Sequence, residues 1–135
     1  MQYWLIKSEP FKWSWQQQKE KGVEHWDGVR NYQASNNMKA MKIGDRAFFY
    51  HSNKGLEIVG ICEVVKEYYP DHTDPKGRFG MVDFKAVKDM PHPVTLKEIK
   101  ATSELSDMAL VKQSRLSVSP VKQEEWDLIC KMGGL

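Results

Sequence analysis

The stretch AFFYHSNKGLEIVGICEVV, residues 47–65, contains two apolar segments separated by a polar loop. Both segments are rich in aromatic or β-branched residues, which favour strands. Between them, Asn53 and Gly55 supply the residue types that a hairpin loop needs. The stretch therefore predicts two adjacent antiparallel strands at the centre of the fold.

The rest of the chain adds short strands and helices to this hairpin. YWLIK at 3–7 is an apolar strand that ends before Pro10, because a residue preceding proline is disfavoured in helices. MVDFKAV at 81–87 alternates as a half-buried strand does, and 115–119 is a further strand candidate. Ser14 and Gln17 form a capping-box pattern that opens a helix ending near Gly22. Further helices are predicted at 33–41, 95–100, 103–108 and after Pro120, the last with Val121 and Trp126 on its apolar side.

This order of elements predicts an α+β fold. Long antiparallel runs with small helices favour a twisted, mainly antiparallel sheet that closes into a small barrel. A chain of 135 residues with 41% hydrophobic content is enough for one domain, so we expect a single domain over 1–135.

The sequence predicts a cytoplasmic protein. It shows neither the pattern of a signal peptide nor 18 consecutive apolar residues, so we expect no membrane partner. Cys62 and Cys130 lie in apolar surroundings without Cys-x-x-Cys spacing, which is typical of free thiols in a reducing compartment.

Charge and aromatic residues are concentrated at one end of the sequence. The net charge of +2 does not by itself indicate nucleic-acid binding. Residues 1–54, however, carry nine Lys or Arg and five Asp or Glu, and ten of the fifteen aromatic residues lie within the first fifty. Positive charge combined with flat apolar surface is typical of proteins that bind exposed bases.

The segment WDGVRNYQASN, residues 26–36, is the richest in binding chemistry. It combines an aromatic ring, a glycine turn, a guanidinium group and several amides. A nucleobase needs such a mixture, because rings contact its faces while fixed donors and acceptors contact its edge.

Catalytic and metal motifs are not evident. His51 and Ser52 are adjacent on a predicted strand and would point to opposite faces, which disfavours a base–nucleophile pair. The four histidines lack metal-ligand spacing, and the phosphate-binding glycine motifs do not occur. We therefore predict no metal, no cofactor and no catalytic residue.

Five phrases, in this order, resemble the EVE domain family: YWLIKSEP at 3–10, WDGVRNYQA at 26–34, FYHSN at 49–53, YPD at 69–71 and RLSV at 115–118. The resemblance spans nearly the whole chain. It implies a PUA-like fold, a β pseudo-barrel with peripheral helices, and a role in reading modified bases, chiefly modified cytosine in DNA. Two residues depart from the family pattern, because Ser35 stands where the family usually has Arg and Phe79 where it generally has Trp.

Together, the residues and the resemblance predict a non-catalytic domain that binds a modified or flipped-out base, with nucleic acid as its partner and a monomeric state. We predict Trp26 as the main stacking wall with Phe79 or Tyr32 opposite it. Base-edge contacts are assigned to Asn31, Ser8 and the backbone of Lys7 to Glu9, the pocket mouth to His51 and Ser52, and phosphate contacts to Lys7, Arg30 and Arg115.

Three alternatives stay open from the sequence. A small enzyme acting on a base or nucleotide would need Glu9 as its acid or base, made reactive by burial beside Trp4 and Trp26. An RNA-binding domain, or a module that binds a protein through its aromatic surface, would share the same composition.

Overall fold

Six strands form one mixed sheet in the computed structural model, which describes residues 1–135. They are β1 (Tyr3–Ser8), β2 (Val23–His25), β3 (Arg46–His51), β4 (Glu57–Pro70), β5 (Gly80–Thr95) and β6 (Val118–Val121). The order across the sheet is β2-β5-β4-β3-β1-β6. The β1–β3 pair is parallel and the other four pairs are antiparallel, which confirms the predicted mainly antiparallel sheet.

Small helices surround this sheet. They are α1 (Trp15–Lys21), α2 (Tyr32–Ala40), α3 (Leu96–Lys100), α4 (Ala109–Lys112) and α5 (Gln123–Met132), with a 3-10 helix at Ser103–Leu105. The helix α2 contacts the edge strand β6 and also β4 and β5, so it covers one face of the curled sheet between distant strands. No helix has the length and apolar character needed to cross a lipid bilayer.

The central strands are buried on both faces, because successive side chains point to opposite sides. Ile6 and Phe49 pack into one apolar cluster with Met38 of α2. Their neighbours Leu5 and Phe48 pack into a second cluster with α5 and the short helices. This arrangement explains why β1 and β3 are nearly continuous apolar runs in the sequence.

Several elements differ from the sequence prediction, three of the strands among them. The strand β2 was not predicted, because its three residues carry little pattern of their own and pair only with β5. The strand predicted at 115–119 is observed at Val118–Val121, so Val121 is a strand residue and not part of the last helix. The strand β5 continues to Thr95 through Pro91 and Pro93, which lie where the β4–β5 register shifts between Ile58 and Gly60, a bulge that tolerates proline.

The predicted start of α1 is confirmed. The Ser14 side chain accepts the Gln17 amide and the Gln17 side chain accepts the Ser14 amide, as in a capping box. The helix α2 occupies Tyr32–Ala40, whereas 33–41 was predicted, and its N-cap is Asn31. The helix α2 therefore begins four residues after Gly28, close to the glycine turn.

Parallel pairing of β1 with β3 brings two sequence phrases together. The carboxyl ends of the two strands lie side by side, with Ser8 opposite His51. The Ser52 amide then donates to the Ser8 carbonyl at 2.9 Å. The loop that follows β1 and the loop that follows β3 therefore lie next to each other.

Candidate functional site

A cleft of about 990 Å³ opens where β1 and β3 end. Its walls come from the loop after β1, the segment between β2 and α2, the hairpin loop after β3, and the segment that leads into β6. Eight of the residues singled out in the sequence line it: Lys7, Ser8, Glu9, Trp26, Arg30, Asn31, Ser52 and Arg115.

Ser8 is fixed in the cleft wall between two loops. Only 8% of the residue is exposed, and its hydroxyl donates to the Trp13 carbonyl. Its backbone carbonyl is bonded to Ser52, whose own hydroxyl makes no hydrogen bond to another protein group. Ser8 therefore fixes the position of the loop after β1 relative to the loop after β3, while the Ser52 hydroxyl is available to a ligand.

Trp26 belongs to both the core and the cleft. It is 9% exposed, and its ring lies edge-on to Phe49 and Phe84, each with a centroid distance of 5.7 Å. The same residue contributes to the cleft wall. A ligand in the cleft would therefore meet a rigidly packed indole.

Asn31 combines a structural contact with a free donor. Its Oδ1 accepts the Ala34 amide at 2.9 Å, which caps α2. Its Nδ2 donates to no group of the protein, and the residue is exposed at the cleft. The amide oxygen is thus committed to the fold, and the amino group is free.

Asp71 joins the glycine turn to the loop after β4. Its buried carboxylate accepts the Gly28 amide at 2.8 Å, Arg30 Nη1 at 3.0 Å and the Thr73 hydroxyl at 2.6 Å. Burial alone would raise the pKa of Asp71, but the hydrogen bonds from Thr73, Gly28 and Arg30 lower it to about 2. Gly28 has a φ of 78°, in the region that favours glycine, so the turn that presents its amide depends on that residue.

The predicted phosphate contacts differ in how much charge they offer. Arg30 is paired with Asp71, so its charge is largely compensated. Lys7 is half-buried, its ammonium donates to the Ser114 carbonyl at 2.8 Å, and burial lowers its pKa. Arg115 is exposed in the cleft wall and forms no ion pair with the protein.

Three residues predicted for the site do not line the cleft: His51, Tyr32 and Phe79. His51 Nε2 accepts the backbone amide of Trp15 at 3.1 Å, so its ring holds the start of α1. Burial lowers the pKa of His51, opposed in part by Glu57, which favours the neutral ring that this acceptor role needs.

Tyr32 and Phe79 contact each other, not Trp26. Their rings are 4.9 Å apart, and the Arg30 guanidinium lies 5.6 Å from the Phe79 centroid. Tyr32 is 61% exposed, so the pair forms an outer surface beyond the cleft. Neither ring lines the cleft, so the structure does not place one of them opposite Trp26 there. The loop carrying Phe79 is held instead by the Asp71 amide, which donates to the Phe79 carbonyl at 3.1 Å.

The enzyme alternative requires Glu9 to be buried beside Trp4 and Trp26, and the structure does not place it so. Its carboxylate lies 3.7 Å from Lys12 Nζ and its side chain is 32% exposed. Trp4, which that alternative places beside it, instead donates its indole N–H to Asp45 at 3.1 Å. Lys7 and Arg30 make other contacts and Arg115 makes no ion pair, so Lys12 is the cation next to Glu9.

Sequence reasoning missed several cleft residues. Trp13 donates its indole N–H to Gln18 at 2.8 Å and exposes part of its ring to the cleft. The concentration of tryptophan before residue 30 was the available signal for it. The other missed residues include Lys12, His25, Asn53, Leu56, Leu96 and Leu110, which reach the cleft from separate loops and helices.

A curled, mixed six-stranded sheet with small helices and a cleft at the strand ends defines a PUA-like domain. Within that class, residues 2–132 match the EVE domain, and the chain belongs to this family. Thymocyte nuclear protein 1 of Mus musculus is 39% identical, with the match covering 96% of this chain and 73% of the mouse protein.

Solved structures give the same result. A crystal structure of a protein from Agrobacterium tumefaciens is 58% identical, covers 100% of this chain and 94% of its own, and has a TM-score of 0.97. The crystal structure of human THYN1 protein in complex with 5-methylcytosine-containing DNA is 36% identical, covers 100% of this chain and 99% of its own, and has a TM-score of 0.93. The predicted fold and family are therefore confirmed.

Proposed function

We propose that residues 1–135 act as one non-catalytic, DNA-binding EVE domain that receives a modified, unpaired cytosine in the cleft. The observation that carries the proposal is the cleft itself, whose volume of about 990 Å³ is lined by indole, amide, hydroxyl and basic groups. Pockets for small ligands typically enclose about 300–1,000 Å³. The fold shared with the human protein solved with 5-methylcytosine-containing DNA supports DNA as the partner.

The indoles of Trp26 and Trp13 are the proposed contacts for the faces of the base. Both line the cleft, and both are held in place, Trp26 by Phe49 and Phe84 and Trp13 by its bond to Gln18. Side chains that are already fixed lose little entropy when a ligand binds. Stacking on such rings contributes about 1–3 kcal/mol per base.

Polar groups around the cleft match the edge of cytosine. A cytosine presents an amino donor at N4, and a carboxylate is a suitable acceptor for it. Glu9 is the proposed acceptor, since it lies in the cleft wall and its only ion pair is the 3.7 Å contact with Lys12. The free Nδ2 of Asn31 and the Ser52 hydroxyl are the proposed contacts for the remaining acceptors of the base, with Ser8 positioning the loops behind them.

Arg115 is the proposed main phosphate contact, because its charge is not compensated by any ion pair. Lys7 and Arg30 are proposed as weaker contacts, since each already donates to the protein. The exposed pair of Tyr32 and Phe79 lies beside Arg30 and is proposed to stack on a neighbouring base of the strand.

The residue contacts support binding without catalysis. His51 is engaged by Trp15 and so does not serve Ser52 as a base. Glu9 has a lysine beside it and a partly exposed side chain. We also propose a cytoplasmic location in a reducing environment, supported by the two free cysteines.

Binding to matched oligonucleotides tests the proposal. Fluorescence anisotropy would compare single strands and duplexes of one sequence that carry cytosine, 5-methylcytosine or 5-hydroxymethylcytosine at one position. We expect tighter binding of a modified strand, strongest where the base is unpaired, because unstacking a paired base costs a few kcal/mol. Mass spectrometry of the recovered strands should find them unchanged. Equal affinity for unmodified strands, or a converted base, would contradict the proposal.

Glu9→Gln tests the proposed base-edge contact. Glutamine keeps the size and leaves the fold unaffected, but its amide offers a donor that conflicts with the cytosine amino group in one orientation. We expect affinity for the modified strand to fall about tenfold, as for the loss of one base-edge contact of 1–3 kcal/mol. Glu124→Gln, at an exposed position of α5, is the matched control and should bind as the parent chain does.

A further inference from the structure

Three metal-ligating side chains meet at the rim of the cleft. His25 ends β2, Asp27 follows it, and His72 lies in the loop after β4. One ligand atom from each lies within 4.8 Å of the other two. His25 Nε2 is 3.6 Å from Asp27 Oδ2, and the two imidazole rings are 5.1 Å apart at 76°. We propose that His25, Asp27 and His72 bind a divalent transition-metal ion of the zinc type.

The ligand set fits this class of ion. Two imidazole nitrogens and one carboxylate oxygen are ligands that Zn²⁺ accepts, at bond lengths of about 2.0–2.2 Å. Hard cations such as Mg²⁺ and Ca²⁺ prefer oxygen ligands alone. The side chains of His25 and Asp27 are 38% and 39% exposed, so small rotations can bring the three atoms to one ion. Three protein ligands leave a coordination position open to water.

A carboxylate lies beside Nδ1 of His25. Glu24 Oε1 lies 3.3 Å from His25 Nδ1 and is itself held by Lys21 Nζ at 2.8 Å and by the His25 amide at 3.0 Å. When Nδ1–H donates to a carboxylate, Nε2 is left with its lone pair free. A hydrogen bond of this kind accompanies most metal-binding histidines, and the Nε2 of His25 lies on the side of Asp27.

The two loops that carry the ligands are already fixed to each other. Asp71 accepts the amides of Gly28 and Thr73, residues that directly follow Asp27 and His72. The buried Asp71 thus holds Asp27 and His72 near each other before any ion binds. Metal binding would therefore order side chains only, and the backbone would not have to move.

The carboxylate among the three ligands is not neutralised by a lysine or arginine of the protein. Asp71 is compensated by Arg30, but Asp27 has only the His25 ring within ion-pair distance. A bound cation would be favoured by these carboxylates.

Isothermal titration of the untagged, chelator-treated chain with Zn²⁺ tests the proposal. We expect one ion per chain, and His72→Asn should weaken binding at least tenfold, because it removes one of three ligands from an exposed loop position. His92→Asn is the matched control, since His92 is also exposed but lies near Glu98 in another part of the molecule. It should bind as the parent chain does.

A second readout locates the ion. Co²⁺, which takes the same ligands, should give visible absorption bands in the parent chain and in His92→Asn, but not in His72→Asn or Asp27→Asn. Circular dichroism would establish that each variant is folded. No binding by the parent chain, or equal binding by His72→Asn, would overturn the proposal. Neither readout includes nucleic acid, so the outcome is independent of the proposed function.

Discussion

At the residue scale, the site depends on side chains that serve the fold and the cleft together. Trp26 packs edge-on between Phe49 and Phe84 while also lining the cleft. Asn31 caps a helix with its oxygen and exposes its nitrogen. Truncating such residues removes stability and binding at once, so conservative substitutions are needed to separate the two effects.

Trp26→Ala should destabilise the protein substantially. The residue is 9% exposed within the apolar cluster, and replacing a buried aromatic side chain with alanine costs about 3–5 kcal/mol. Urea unfolding measures the change, with Phe11→Ala, at an exposed position, as the control. A loss below about 1 kcal/mol would mean that Trp26 is not part of the core.

Asp71 should make the protein sensitive to acid. The pKa of its carboxyl falls from 3.8 to about 2 on folding, so the charged form stabilises the fold above pH 3.8 and that stabilisation is lost as the pH falls towards 2. A shift of this size corresponds to about 2 kcal/mol. The free energy of unfolding, measured at pH 6 and pH 3, should therefore fall less in Asp71→Asn than in the parent chain. An equal fall in both would contradict this role.

At the element scale, helix α2 links the fold to the site, because its N-cap lies in the cleft wall. The variants Asn31→Ala and Asn31→Asp separate the two roles of that residue. Alanine should cost about 1 kcal/mol of stability through the lost cap, whereas aspartate caps equally well. Aspartate nevertheless replaces the free Nδ2 donor with an acceptor, so we expect it to keep stability and lose affinity for a modified strand. Unchanged affinity in the aspartate variant would remove Asn31 from the proposed base contacts.

Elements with strong local patterns were predictable, and those that depend on distant partners were not. The strands β1 and β3 are apolar runs with clear ends, and α1 has a capping box. The strand β4 begins as predicted but continues to Pro70, beyond the apolar run that ends at Val65. The strand β2 exists because β5 pairs with it, which no local pattern reveals.

The cleft, too, was predictable only where a local pattern determines it. Position at a strand end indicated that Ser8 and Ser52 would come together. It did not reveal that His51 Nε2 accepts the Trp15 amide, or that Phe79 packs on Tyr32 outside the cleft. Those placements depend on contacts between segments that are far apart in the sequence.

At the scale of the whole molecule, the weak net charge predicts modest salt dependence. The chain carries +2 overall, and the cleft wall includes Glu9, Glu24 and Asp27 beside its cations. Each phosphate contact contributes a slope of about −0.7 in log affinity against log salt for a single strand. We expect Arg115→Gln to weaken binding of all strands alike and to reduce that slope by about 0.7. Lys131→Gln, at an exposed position of α5, is the control and should leave the slope unchanged.

Indole resonances of the tryptophans give the most direct test of the central claim, that a modified cytosine enters the cleft. Trp13 and Trp26 line the cleft, whereas Trp4 and Trp126 are buried members of the two apolar clusters and do not line it. In a nitrogen–proton correlation spectrum, a short single strand with one 5-methylcytosine should shift the Trp13 and Trp26 indole signals and leave those of Trp4 and Trp126 in place. The unmodified strand should need a higher concentration for the same shift. Shifts at Trp4 and Trp126 alone, or identical titrations with both strands, would contradict the account.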